Sequence, residues 1–296
     1  SVDGDWRQSF SRIETHYGYK DFGGNCHMVP NHAIIILSLL YGGGNFSDSL
    51  MIANTCGWDT DCNSGNVGCL LGIRNGLKGI DGESPDTKNG IGTVGRWRKP
   101  VADRLYLPTA DGGRCITDAL QQSYRLTNLG RALNGLEPLQ PKQGARFHFS
   151  LPGSVQGFEG EGAVASVGNV DGRLAVSWAD LTGGRKALVT TATFMPLNDG
   201  NIGGYELLAS PTLHSGQTVR AQIDVDFDVD GPLSCRLCII AYRVGESVEE
   251  IFGSPKQIEP GTSGELTWEV PNTDGSPIGR VGVEISSIDD NVDSKS

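Results

Sequence analysis

The sequence predicts an α + β chain with the two classes in separate domains. An all-helical part is expected over residues 1–140, and an antiparallel β-sandwich, jelly-roll-like in its strand spacing, over 141–296. Three observations predict this. Apolar residues first recur at three-to-four spacing, as in Trp6, Phe10, Ile13 and Tyr17, the period of a helix with one buried face. Beyond a linker-like Gln140-Pro141-Lys142-Gln143-Gly144 they alternate instead, most clearly at Val219, Ala221, Ile223, Val225, Phe227 and Val229, the period of a half-buried strand. Charge changes at the same place: 13 Lys+Arg stand against 14 Asp+Glu in residues 1–140, but 11 against 21 in 141–296.

Composition narrows the function. A net charge of −11, concentrated in the second half, argues against binding a nucleic-acid backbone. The longest apolar run, Ala33–Leu40, is too short to span a bilayer, so no membrane partner is expected. The seven cysteines are scattered through apolar segments and read as buried free thiols, not as a disulfide framework. Cys235 and Cys238 form a CxxC inside a strand-like run. A redox pair would sit at a helix N-terminus, and a zinc site would need a second ligand pair. No signal peptide is visible. The compartment stays open, with the cytoplasm preferred, and the native N-terminus is expected to lie upstream of Ser1.

In chain order, residues 5–20 read as a core-facing helix, and Asp21–Asn25 as a Gly-rich loop. Pro30 suits a helix start, and Ala33–Tyr41 continues it as a buried helix. His27 and His32 flank that start; these two, with Asn25 and Asn31, are read either as hydrogen-bonded structural groups or as a polar pocket lip. Gly42–Gly44 ends the helix, and Ser47 is a credible N-cap for Asp48–Thr55. A further helix runs to about Asn75 and ends at Gly76. Residues 79–93 are turn-rich. Arg96-Trp97-Arg98-Lys99-Pro100 reads as surface packing, or as a cation–π or phosphate contact. Ile116–Leu133 reads as a closing amphipathic helix. Strands are expected at 146–151, 174–179, 187–194, 219–229, 233–244, 265–270 and 279–285. Trp178, Tyr205 and Trp268 read as core aromatics or as an aromatic binding platform.

The functional reading centres on Gly57–Gly68, GWDTDCNSGNVG. Asp59 and Asp61 flank Thr60 directly before a helix. Either Asp61 caps that helix with Asp59 solvated nearby, or the pair holds a cation. A second Asp has no capping job, and two carboxylates about 4 Å apart repel by roughly 4 kcal/mol at an effective dielectric of 20. A hard cation removes that cost and takes oxygen ligands. Gly65, Gly68, Gly72 and Gly76 follow at three-to-four spacing, which predicts another helix packed close against that face.

Taken together, residues 27–73, HMVPNHAIIILSLLYGGGNFSDSLMIANTCGWDTDCNSGNVGCLLGI, resemble the C-terminal part of the ADP-ribosylglycohydrolase family. The resemblance covers about residues 5–135. It implies an all-helical hydrolase domain and a two-metal centre, usually of Mg2+, with Ca2+ or Mn2+ as alternatives. The family's late motif is Gly-Gly-Asp-Thr-Asp-Thr/Ser. Asp59 and Asp61 match its metal-ligand aspartates, Cys62 stands at its hydroxyl ligand, and Trp58 replaces its second Gly. The resemblance also implies a substrate pocket near Asn25, His27, Asn31 and Trp58. The family's early Thr/Ser-Asp-Asp motif has no counterpart here, since the only Asp-Asp pair is Asp289–Asp290. The metal site is therefore expected to be completed by residues not in this chain, from a missing N-terminal segment or a companion chain.

The leading expectation is a metal-dependent glycohydrolase, cleaving a glycosidic bond to ribose or a similar sugar in an ADP-ribosyl or glycoside substrate, with Asp59 and Asp61 as its catalytic pair. The sandwich resembles accessory sugar-binding modules. The alternative is a non-catalytic, crystallin-like or carbohydrate-binding relative with an incomplete metal site.

Overall fold

The structure, a computed structural model, describes residues 4–24, 26–81, 97–106, 116–196, 209–245 and 247–288. Contacts divide the chain into two compact units, one of Ser1–Pro85 with Gly95–Trp97, the other of the remainder.

The first unit is helical: α1 (Trp6–Tyr17), α2 (Met28–Tyr41), α3 (Phe46–Thr55) and α4 (Thr60–Asp81). Helix α1 starts where the Asp5 side chain accepts the Arg7 N–H. Helix α3 starts earlier than Ser47 would have it. Its cap is Asn45, whose Oδ1 accepts the Asp48 N–H at 2.9 Å, satisfying a donor that the first helical turn leaves unpaired. Ile34, Leu37, Ile52 and Cys56 are buried together, with Trp6, Phe10, Ile13 and Trp58 against them. Phe46, Leu50, Ala53, Val67 and Leu71 form a second cluster.

The α4 glycines do not carry the expected close approach of another helix: α3 faces one of them, and at ordinary contact distance. A Cβ on Gly68 would lie 3.8 Å from Leu50 and Phe46 of α3, but one on Gly65 would meet nothing within 4 Å. Gly76, at φ +65, breaks the helix, which resumes to Asp81. Left-handed backbone of this kind is open to glycine at little cost.

The second unit begins with a short hairpin, β1 (Arg104–Tyr106) and β2 (Ile116–Asp118), and α5 (Ala119–Leu133). The periodicity placed this helix with the helical part. Here it is tied to 146–156 instead: Gln121 bonds Arg146, and Tyr124 Oη lies 2.9 Å from Ser150 Oγ. The remaining strands are β3 (Glu159–Gly162), β4 (Val164–Val170), β5 (Arg173–Trp178), β6 (Lys186–Ala192), β7 (Thr218–Asp224), β8 (Leu233–Tyr242), β9 (Val248–Phe252), β10 (Lys256–Ile258), β11 (Ser263–Glu269) and β12 (Ile278–Ser287).

All the pairings are antiparallel. The main sheet runs β10-β8-β12-β6-β3, with β9 also on β8, while β7–β11 and β4–β5 form two-stranded ribbons. Inward residues of sheet and ribbons share one core, with Ala187, Cys235, Leu237 and Ile285 from the sheet and Leu266 and Ile223 from a ribbon. This is an antiparallel β-sandwich. Trp178 and Trp268 pack against that core, and Tyr205 lies outside the described residues. Burial pushes the Cys235 and Cys238 thiols up to about 11 and about 12, as inert structural cysteines require.

The expected strand at 146–151 is absent. Phe149 has φ +52, Gln156 Oε1 accepts the N–H groups of His148 and Phe149, and Asn169 Nδ2 donates to the carbonyls of Phe149 and Ser154. Side-chain amides take the place of a neighbouring strand. Among the described residues, no helix is long and apolar enough to cross a membrane.

Candidate metal centre

The turn before α4 is built by three devices. Gly57 (φ +72) and Asp59 (φ +42) take left-handed backbone. The Asp59 carbonyl accepts the Asn63 N–H at 2.9 Å, opening the helix at Thr60. Buried Asn63 then reaches back, its Nδ2 donating to the Trp58 carbonyl at 2.7 Å. Asn63 Oδ1 is buried and has no partner among the described residues.

This geometry brings the Asp59, Asp61 and Cys62 ligand atoms within 4.8 Å of one another. The two carboxylates are held differently. Asp61 is exposed, and its carboxyl lies below the ordinary range because it accepts the Cys62 N–H, then a hydrogen bond shared with Asp59, then its own N–H. That is the work of an acidic group at a helix N-terminus. Asp59 is half-buried, and its Oδ2 accepts the Asn31 amide. Asn31 is buried in the first turn of α2, and its Oδ1 accepts the Tyr19 hydroxyl at 2.5 Å. Tyr19, Asn31 and Asp59 thus form a relay that aims one carboxylate.

Tyr19 was not among the expected site residues. It lies in the turn after α1, and only the tertiary fold brings it to Asn31. Burial raises its hydroxyl pKa, and the charge of Asp59 raises it further. Cys62 is exposed, and its thiol is raised mainly by the hydrogen bond and charge of Asp59.

The other expected residues divide. Asn31 joins the site, as a partner of Asp59. His27 Nδ1 accepts the Val29 N–H at 3.2 Å and caps α2; its ring lies 5.3 Å from that of Phe22. Trp58 packs between Phe10 and Tyr19, with ring centroids 5.1 and 5.0 Å away. Asn25 lies outside the described residues.

As a donor set, the two carboxylates suit one hard cation. The Cys62 sulfur is the poorer match for such an ion, because soft sulfur binds hard cations weakly. Among the described residues no second group of this kind occurs, so these side chains do not amount to a two-metal centre.

Comparison with known proteins gives three results. None of the curated proteins matches the chain. Among solved structures, the chain is similar to a xylan-binding domain from CBM 22, with 16% identity over 50% of this chain and 88% of that one, at a TM-score of 0.31. It is also similar to the CBM22-2 xylan-binding domain of Paenibacillus barcinonensis Xyn10C, with 12% identity over 46% and 78%, at a TM-score of 0.30. Against the CBM22-1-CBM22-2 tandem of the same protein, identity is 13% over 46% of this chain, which spans 39% of that tandem, at a TM-score of 0.30. Residues 4–122, which contain α1–α4 and the Asp59–Asp61 turn, match the ADP-ribosylglycohydrolase family.

Proposed function

We propose that the helical unit contributes one half of a metal-dependent glycohydrolase centre, acting on an ADP-ribosyl or related glycosidic bond. The observation that carries this is the pair Asp59 and Asp61, convergent within 4.8 Å together with Cys62, inside the stretch that matches the ADP-ribosylglycohydrolases. Asp61 is kept ionised by the helix start, and Asp59 is aimed by Asn31. Together they would hold Mg2+, with Mn2+ or Ca2+ as alternatives. When bound, the cation polarises a sugar oxygen or lowers the pKa of water. The remaining ligands come from outside the described residues, in a preceding segment or a companion chain.

The test is a thermal-shift and calorimetric titration with Mg2+, Mn2+ and Ca2+, on wild type, Asp59→Asn and Asp61→Asn. Two carboxylates alone should bind weakly, with a Kd on the order of 1 mM. About 10 mM cation then stabilises by about 1.4 kcal/mol, or roughly 6–11 °C for a unit this small. Both Asn variants should keep the metal-free Tm and lose this shift. A complete enzyme should turn over an ADP-ribosylated peptide, an ADP-ribose conjugate or an aryl glycoside, and the Asn variants should not. Variants with wild-type response to cations would overturn the metal reading. The thiol at Cys62 favours a second reading, a non-catalytic relative. Its signature is cation binding without turnover of any of these substrates by the complete protein.

A further inference from the structure

Cys62 places sulfur where a magnesium site has oxygen. Its Sγ and one carboxylate oxygen from each of Asp59 and Asp61 lie within 4.8 Å of one another. Asp59 joins the three, for it stands in hydrogen-bond reach of both the Asp61 carboxyl and the Cys62 thiol. Neither packing nor capping asks for this thiol. Cys62 is exposed and packs in neither buried cluster of the helical unit. It stands in the first turn of α4, where hydroxyl and carboxyl side chains do the usual capping work. The same loop also holds an acceptor without a donor. Asn63 Nδ2 bonds the Trp58 carbonyl across the loop, while its Oδ1 is buried and unpaired among the described residues. Such an atom calls for a water or an ion.

Donor chemistry decides which ion. Two carboxylates alone suit a hard cation that keeps several waters. Two carboxylates with a thiolate suit a borderline one, because thiolate selects Zn2+ over Mg2+ and Ca2+. The count of ligands agrees. A two-ion octahedral centre needs more than these residues supply, but three protein ligands with water in the fourth position make an open zinc site. Bonds of about 2.0 Å to oxygen and about 2.3 Å to sulfur set such ligand atoms roughly 3.5 Å apart. Rotation of the exposed Asp61 and Cys62 side chains closes the gap from 4.8 Å. As the sulfur binds, its proton passes to the buffer, since a coordinated thiol is deprotonated outright. Given that this turn holds a cation at all, we propose that Asp59, Asp61 and Cys62 form a one-ion Zn2+ site that water completes, in place of the Mg2+ that the carboxylates alone would favour.

Co2+ probes this site in the full chain after chelator treatment, because sulfur ligation gives it a thiolate-to-metal charge-transfer band in the near ultraviolet. Wild type should develop that band and saturate at one ion per chain. Cys62→Ser should lose it. Cys69→Ser, which removes another exposed thiol of α4, should keep it. A preference for Zn2+ over Mg2+ decides nothing by itself, since Zn2+ stands high in the Irving–Williams order at any such site. The share of the sulfur decides. Calorimetry should show Zn2+ binding weakened in Cys62→Ser, on the roughly 10–100-fold scale that a lost metal partner costs, and Mg2+ binding no weaker. Because Cys62 is exposed, the variant should keep the metal-free Tm and circular dichroism spectrum of wild type. A wild type without the cobalt band, a band that survives Cys62→Ser, or equal Zn2+ affinity in the two proteins overturns the zinc site. In that event, Mg2+ that stabilises wild type and not Asp59→Asn leaves the cation reading of the turn standing alone, whereas a wild type that responds to no ion ends both.

Discussion

Gln156 is the residue whose loss should damage the second unit most for its size. It is 1% exposed and makes five side-chain hydrogen bonds. Its Oε1 accepts the N–H groups of His148 and Phe149 at 2.8 and 2.9 Å. Its Nε2 donates to both Asp118 oxygens and to the Arg146 carbonyl, each at 3.2 Å. Gln156→Met keeps the length and removes every one of them. One buried backbone donor, at His148, and one half-buried, at Phe149, are then orphaned, at about 1–3 kcal/mol each, and Asp118 loses a donor while 3% exposed. A cost of about 4 kcal/mol follows, or roughly 8–16 °C in the Tm of a unit this large. Calorimetry of the full chain reads it, and exchange of the His148 and Phe149 amides localises it. Gln156→Glu sharpens the test. It can still accept the two N–H groups, but sets a carboxylate against Asp118. Burial already pushes the Asp118 carboxyl above the ordinary range, while the Gln121 N–H and Gln156 amide pull it back. A raised native pKa means that stability is lost as pH rises through it. The Glu variant should therefore recover most as pH falls towards 4, when the pair shares a proton; the Met variant, which eases only the Asp118 part of its loss on protonation and leaves the His148 and Phe149 N–H groups without an acceptor, should recover only in part. A Met variant within about 0.5 kcal/mol of wild type, the range of ordinary surface changes, would refute the reasoning.

Two further predictions rest on the same unit. Burial pulls the Glu159 carboxyl up, but the bonds and charges of Arg104 and Arg280 outweigh it and hold it below the ordinary value of 4.5. Its stabilisation is present above 4.5 and is lost as pH falls through the lowered value; because the side chain is 42% exposed, it is under about 1 kcal/mol. Urea denaturation of Glu159→Gln should show a small gap from wild type at pH 7 that closes towards pH 3, and a gap constant with pH counts against the ion pairs. Limited proteolysis should leave a resistant β-rich fragment that begins near Arg98 and not at 136–146. Asp103 is buried and accepts the Val155 N–H, and the Ala119 N–H bonds the Asp103 carbonyl, so cutting at 140 strips bonded partners from 146–156. A stable fragment starting at 141 would show that these bonds are dispensable.

The sequence announced the helical beginning, the β-rich remainder and the Asp-Thr-Asp turn, because each rests on local chemistry: a period, a cap, a charge beside a charge. Where it misled, distant partners decide. The run 146–151 alternates like a strand, but Gln156 and Asn169 take its backbone bonds. Strand β3 has the sequence EGEG and carries no apolar alternation to find. Helix α5 is plainly helical by period, yet the period does not say which unit holds it. Tyr19 carries no signal at all, since its role depends on Asn31, 12 residues away across a turn.

The two aspartates of the turn also differ in how much of their presence the fold explains. Asp61 takes N–H groups at the start of α4, so a helix terminus alone accounts for it. Asp59 does its structural work through its backbone carbonyl. Its carboxylate caps nothing, yet it is half-buried and held by an amide that is itself held by a phenol. Asparagine in its place could still accept the Asn31 N–H, so size and bonding survive while the charge is lost. Aiming a negative charge with two successive hydrogen bonds has no use in a cap. It has one in a ligand, whose orientation such outer partners commonly fix. Asp59, more than Asp61, is therefore the residue on which the metal reading stands.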